Sequence, residues 1–161
     1  MIRTTPPAWA LWAAVLALPF AYPIYFIASS LLDRDPPVYY VAAQAITASA
    51  KPGDPITTRF ETRRYRQCVV QKIQRYARSL TDGYDYAIAE YNVKVADPSR
   101  PESGDATKIG TNVYQRSFTV PKMPAGFAEY FIRINYQCNW SHLFWPILVE
   151  SPHIPFMVEP S

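Results

Sequence analysis

Cysteine, histidine and glycine are all scarce in this chain. Two cysteines exclude a disulfide-rich miniature scaffold and leave room for one bridge, and two histidines are few for a metal centre built on imidazole. Five glycines supply no glycine-rich loop able to cradle a phosphate. The sequence has no His-Glu zinc motif, no nucleophile elbow and no paired-cysteine metal site. Ser141 and His142 are sequence neighbours, which is not triad geometry, and the acids are too scattered to name a glycosidase carboxylate pair. No catalytic residue, metal ligand or cofactor is therefore assigned, and the chain reads as a non-enzyme. A net charge of +3 is too weak to imply nucleic-acid binding.

Charge is also missing locally. From Thr4 to Leu32 no side chain is charged, and Trp9–Leu32, "WALWAAVLALPFAYPIYFIASSLL", is almost wholly apolar. As a helix it would extend roughly 36 Å, enough to cross a hydrocarbon layer about 30 Å thick. Trp9 and Trp12 at one end, with Tyr22 and Tyr25 toward the other, suit the two interfacial zones. Pro19 and Pro23 predict a kink, which a bilayer tolerates better than water does. A cleaved signal peptide ending at Ala28-Ser29-Ser30 is the rival reading, but its apolar core would be shorter. A buried soluble helix would show a polar face. The expected organisation is a short cytoplasmic N-terminus (1–8), a transmembrane helix (9–32), a stiff linker "DRDPP" (33–37) and a β-domain (38–161) on the extracytoplasmic side. One arginine on each side of the span (Arg3 and Arg34) gives orientation little support. The short N-terminus and large C-terminal domain favour N-inside.

The rest of the chain is 38–161, within a sequence that is 49% hydrophobic and 15% aromatic, enough for a packed core. Sixteen prolines imply short strands joined by pinned loops. Strand-like runs are Val38–Ser49, Ile56–Arg66, Tyr84–Val95, Val113–Val120 and Phe127–Cys138, with Pro146–Val158 closing the domain. In Ile56–Arg66, alternation puts Ile56, Thr58, Phe60 and Thr62 on one side. "KPGDP" (51–55), "TDG" (81–83) and "PKMPAG" (121–126) read as turns, and 97–112 as a long exposed loop. Residues 65–80 satisfy two patterns. Tyr65, Cys68, Val69, Ile73, Tyr76, Ala77 and Leu80 share a helical face, while Val69–Val70 and the all-β surroundings favour strands.

"RINYQCNW" (133–140) sets Tyr136 two residues before Cys138 at a strand end. This resembles the late-strand Tyr-x-Cys of immunoglobulin-like sandwiches, in which the tyrosine tethers a corner and the cysteine bridges to an early strand. No tryptophan follows Cys68 where the immunoglobulin core would hold one. The resemblance implies a mainly β fold: one immunoglobulin-like antiparallel β-sandwich after the transmembrane helix, with a Cys68–Cys138 disulfide. Two other readings of the cysteines stand beside it. "CNWSH" (138–142) has the Cys-x3-His spacing of the last ligand loop of cupredoxins, but a blue-copper site needs a second histidine upstream and a weak axial ligand, and the sequence supplies neither. Two buried free thiols are the other alternative.

Two stretches are candidate contact sites. The first is basic: Arg59, Arg63, Arg64, Arg66, Lys72, Arg75 and Arg78 against the single acid Glu61. As a surface it would bind lipid headgroups, an anionic envelope polymer or an acidic protein partner. As ordinary strand chemistry it would only keep edges soluble. The second is "NWSHLFWP" (139–146), where Trp140, His142, Phe144 and Trp145 are candidate anchors for a partner, a cover for the core end, or a contact with the bilayer. Asn139-Trp-Ser141 also matches the N-glycosylation acceptor pattern. The expected function is a membrane-anchored binding or scaffold domain; the alternative is a small accessory subunit or assembly factor of a membrane complex.

Overall fold

The computed structural model describes residues 8–92 and 108–160, with the side chains of 8–18, 20 and 89–92 outside the description. The chain divides into two units, Met1–Arg34 and Asp35–Ser161. The first contains helix α1, Ala8–Leu32, which continues through Pro19 and Pro23. Ile24, Tyr25, Phe26 and Ile27 follow one another around the helix at about 100° per residue, and all four are exposed. Among the described residues, no helix is long and apolar enough to cross a membrane.

Among the described residues the second unit has nine strands: β1 (Val38–Ala45), β2 (Ser49–Ala50), β3 (Pro55–Arg64), β4 (Val69–Ser79), β5 (Asp85–Asn92), β6 (Gly110–Thr119), β7 (Gly126–Gln137), β8 (Ile147–Glu150) and β9 (Ile154–Val158). One sheet has the order β1-β3-β6. The other has the order β2-β9-β7-β4-β5, with β8 also paired to β7. All ladders are antiparallel except β2 with β9, so the second sheet is mixed where an antiparallel one was expected. Residues 65–80 therefore form a strand for most of their length. Tertiary pairing of β4 with both β5 and β7 outweighs the local helical period. The expected loop at 97–112 lies mostly outside the described residues, and β6 begins at Gly110, before the anticipated Val113.

Alternation is clearest in β3. Ile56, Thr58, Phe60, Thr62 and Arg64 are buried and the residues between them are not, because successive side chains of a strand point to opposite faces. The inner faces of both sheets meet in one core of Ile56, Phe60, Phe118, Tyr130, Ile154, Phe156 and neighbours. Phe118 stacks on Tyr130 with ring centroids 4.1 Å apart, joining the first sheet to the second. Tyr40, Tyr114 and Tyr136 are drawn into the interior, and burial pushes the pKa of each hydroxyl upward. A second cluster of Val38, Tyr136, Ile147 and Val149 closes the end of the domain at which β1 begins, here called the proximal end. The turns at the distal end use glycine where the backbone requires it. Gly126 has φ +137°, and a Cβ there would lie 2.5 Å from the Thr81 hydroxyl.

Candidate functional site

Strand register brings several sequence-distant segments to the proximal end. Val38 pairs with Arg64 and Arg64 with Gly110 in the first sheet. In the second, Val69 pairs with Gln137 and Tyr136 with Ile147. Cys68 and Cys138, one residue beyond the ends of β4 and β7, are joined by a disulfide with Cα atoms 4.4 Å apart. The pairing is the expected one, but its place is different. The bridge clamps neighbouring strands of one sheet and does not reach back to the early strand β3.

Two residues after the bridge a short 3-10 helix begins, Trp140–Leu143. Asn139 caps it: its side-chain oxygen accepts from the Ser141 amide at 3.0 Å and from the Ser141 hydroxyl at 2.7 Å. His142 completes the arrangement. Its Nδ1 accepts from the backbone amides of Cys138 (3.1 Å) and Asn139 (3.3 Å), and its side chain is fully buried. This corrects its assignment as a contact residue: two amides that would otherwise be orphaned draw the ring inward. The asparagine of the Asn139-Trp-Ser141 acceptor pattern is likewise engaged as a cap. With Ser141 and His142 held inside, the side chains on either side of them are turned out. Trp140 is 43% exposed, Leu143 59%, Phe144 70% and Trp145 56%. Phe144 and Trp145 touch each other, and none of the four belongs to either core cluster. Tyr65 and Ile109, exposed beside the ends of β3 and β6, lie at the same end. Leu143, Tyr65 and Ile109 were missed as site residues because an isolated apolar side chain in a β sequence reads as core.

The seven basic residues do not form one face, which corrects the expectation of a coherent anion-binding surface. Arg59 and Arg63 point outward from the first sheet, with Glu61 between them. Arg64 is buried, donating through Nε to the Arg66 carbonyl (3.1 Å) and through Nη2 to the Cys68 carbonyl (3.0 Å), so it pins the β3–β4 connection. Arg66 donates to the Asp35 carbonyl. Arg75 is buried on the inward side of β4, opposite Ile132. Lys72 and Arg78 stand on the outer side of the second sheet, where Arg78 pairs with Asp85 at 2.6 Å. The period-2 rule and two irregularities in the β4 ladders divide the run among two outer faces and the interior.

That outer side of the second sheet holds a constellation not anticipated from sequence. Phe131 is fully buried although it points away from the main core. Tyr76 stacks on one part of it at 5.5 Å and His153 on another at 4.5 Å, with the guanidinium groups of Arg78 and Arg133 about its ring. His153 lies between two carboxylates, Nδ1 to Glu129 at 2.7 Å and Nε2 to Glu150 at 3.1 Å, and Arg133 reaches Glu150 at 2.5 Å. The hydrogen bond to Glu129, then that to Glu150, raises the His153 pKa against the opposing effect of burial. The Asp85 pKa is lowered by its hydrogen bond with Arg78. Burial pushes Glu150 up, but Arg133 and His153 outweigh it and the net direction is down.

The pH dependence follows from these directions. His153 contributes stability in full below its unfolded value of about 6.5 and loses it as pH rises through the higher folded value. Asp85 and Glu150 contribute above the carboxylate range near 4 and lose that contribution on acidification. Melting temperature is therefore expected to be highest between about pH 5 and 6.5 and to fall on both sides. His153→Phe keeps a ring over Phe131 and should flatten the alkaline limb. It should also shrink the acid limb in part, because His153 helps to lower the Glu150 pKa, while the Arg133–Glu150 and Arg78–Asp85 pairs keep the rest of it. Thermal unfolding of the two proteins across pH checks this, and parallel alkaline limbs would refute it.

Two grooves lie on the surface of the described residues. One of about 430 Å3 lies between β1 and β8, lined by Pro36, Val38, Tyr39, Leu148 and Pro152 among others. The other, of about 490 Å3, lies at the distal end by Pro52, Met123 and Pro124. Among the described residues, no group of three or more His, Cys, Asp or Glu side chains is arranged to hold a metal ion.

No family model matches this chain, and no curated protein does. Among solved structures, the alkylpurine DNA glycosylase AlkC of Pseudomonas fluorescens, bound to DNA containing an abasic site analog, is similar at a TM-score of 0.44 and 9% identity. The likeness covers 81% of this chain and 33% of that one. The β-glucosidase EmGH1 of Erythrobacter marinus is similar at a TM-score of 0.41 and 14% identity, over 76% of this chain and 15% of that one. This chain thus spans a third or less of either protein, and likeness at this level assigns it no activity.

Proposed function

We propose that the chain is a membrane-anchored, non-enzymatic binding domain: an immunoglobulin-like sandwich held by α1 and displayed on the extracytoplasmic side. The strand order supports the fold assignment. An edge strand shared between the sheets as β1 and β2, a three-stranded sheet of β1, β3 and β6, and an opposing sheet centred on β7 and β4 match how such sandwiches distribute their strands. The bridge within one sheet is the departure from the antibody pattern.

The observation that carries the functional reading is α1. Four consecutive large apolar side chains cover its circumference and all are exposed, a surface suited to lipid and not to water. The disulfide supports an extracytoplasmic reading, because such bridges persist outside the reducing cytoplasm. The exposed aromatic group on the proximal end supplies contact anchors.

A cysteine introduced by Gln115→Cys, on the exposed outer side of β6, tests the topology in the full chain. In cells with a sealed cytoplasmic membrane, a membrane-impermeant maleimide is expected to label it. The protein should also stay with the membrane through alkaline carbonate extraction. Labelling only after lysis, or release by carbonate, would refute the proposal.

A further inference from the structure

The proximal end carries large apolar side chains that the core beneath it does not use. The floor is already closed by Val38, Tyr136, Ile147 and Val149. Above it, Trp140, Leu143, Phe144 and Trp145 are held outward on a backbone fixed by the Cys68–Cys138 bridge, the Asn139 cap and the buried His142. A pinned display of this kind loses little conformational entropy on contact.

We infer that this end rests on the headgroup zone of the bilayer that holds α1, with these four side chains inserted and the exposed Arg63 and Lys108 facing anionic phosphates. The inference rests on the membrane-anchor reading. Three observations converge on a lipid surface as the occupant. The first is position. Pro37 accepts from the Tyr65 amide at 3.0 Å and Asp35 from Arg66, so the segment following α1 is fastened to this end of the domain. The Leu32–Val38 connection, at ~3.3 Å per residue, reaches no more than about 20 Å. The second is residue type: tryptophan and phenylalanine beside basic side chains suit the interfacial zone, where one part of the contact is apolar and the other charged. The third is charge. Arg63, Arg66 and Lys108 outnumber Asp35 near this end, whereas Asp54, Asp82, Asp85 and Glu159 outnumber Lys51, Arg78 and Lys122 toward the distal end, so an anionic surface favours the proximal end.

The four tryptophans make the test direct, since Trp9 and Trp12 lie in α1 and Trp140 and Trp145 at the proximal end. The full chain carrying W9F/W12F is reconstituted into vesicles of phosphatidylcholine and phosphatidylglycerol. Lipid brominated high on its acyl chains is expected to quench Trp140 and Trp145 by about half, with emission shifted to the blue and acrylamide quenching reduced about twofold relative to detergent. A second variant, W140F/W145F, reports α1 alone. Loss of bromolipid quenching only in W9F/W12F would overturn the inference while leaving the anchor standing. Loss in both variants would overturn the anchor reading and this inference with it.

Discussion

Replacing Cys68 and Cys138 together by alanine is expected to lower stability by about 4 kcal/mol, in line with the entropy of closing a loop of this length. The bridge spans a sequence separation of 70, and between its cysteines lie β4, β5, β6 and β7. Most of the second sheet's ladder and one strand of the first are therefore tied through it. For a domain of this size the loss corresponds to a melting-temperature drop on the order of 10–20 °C. A local effect should accompany it. Cys68 and Cys138 pack against the proximal cluster, and the 3-10 helix follows the second cysteine within two residues. Amide exchange at Ser141–Phe144 should rise more than exchange at the turns of the distal end. Thermal unfolding of the oxidised parent and the double variant measures the first effect, and hydrogen exchange measures the second. A stability loss below about 1 kcal/mol would show that strand pairing alone holds these ends.

Phe60→Ala is expected to cost about 3–5 kcal/mol. Phe60 is fully buried and sits among Tyr40, Tyr114 and Tyr130, at centroid distances of 5.8, 5.4 and 6.3 Å. Removing its ring opens a cavity between the sheets that the surrounding rings, themselves tightly packed, can fill only in part. Phe144→Ala is the matched comparison. At 70% exposure it should change stability by no more than about 0.5 kcal/mol, while reducing any interaction of the proximal end with its partner. The same chemical deletion thus separates a phenylalanine that builds the fold from one displayed by it. Denaturant unfolding of both variants checks the contrast, and equal losses would place Phe144 in the structural core and remove it from the site.

The local patterns that proved reliable were those governed by near-neighbour sterics. Alternation in β3 identified the inward residues Ile56, Thr58, Phe60 and Thr62, because the pleat enforces it wherever one face is buried. The turns around Gly53 and Gly83 were legible from residue types able to adopt positive φ, which both glycines do. Residues 65–80 were ambiguous for a corresponding reason: their apolar residues satisfy both periods, and only the partners β5 and β7 select the strand.

The candidate site was legible in its composition but not in its arrangement. "NWSHLFWP" stood out as aromatic, yet nothing local showed that His142 would turn inward to meet two backbone amides while Trp140 and Phe144 turned out. The basic run stood out as charge, yet strand alternation and ladder irregularities divide it among faces. The cluster around Phe131 depends on β7, β4 and the segment before β9 converging, and no single window of sequence contains it.

By itself, the sequence determined an uncharged apolar N-terminal segment, a β-rich remainder and one cysteine pair, since each follows from residue types read locally. Tertiary structure alone decided which strands neighbour one another, that the disulfide clamps β4 to β7, and which aromatic residues remain outside the core. Those outcomes depend on pairings between residues far apart in the chain, where the free energy of burying a shared face, and not the preference of any short segment, selects the partner.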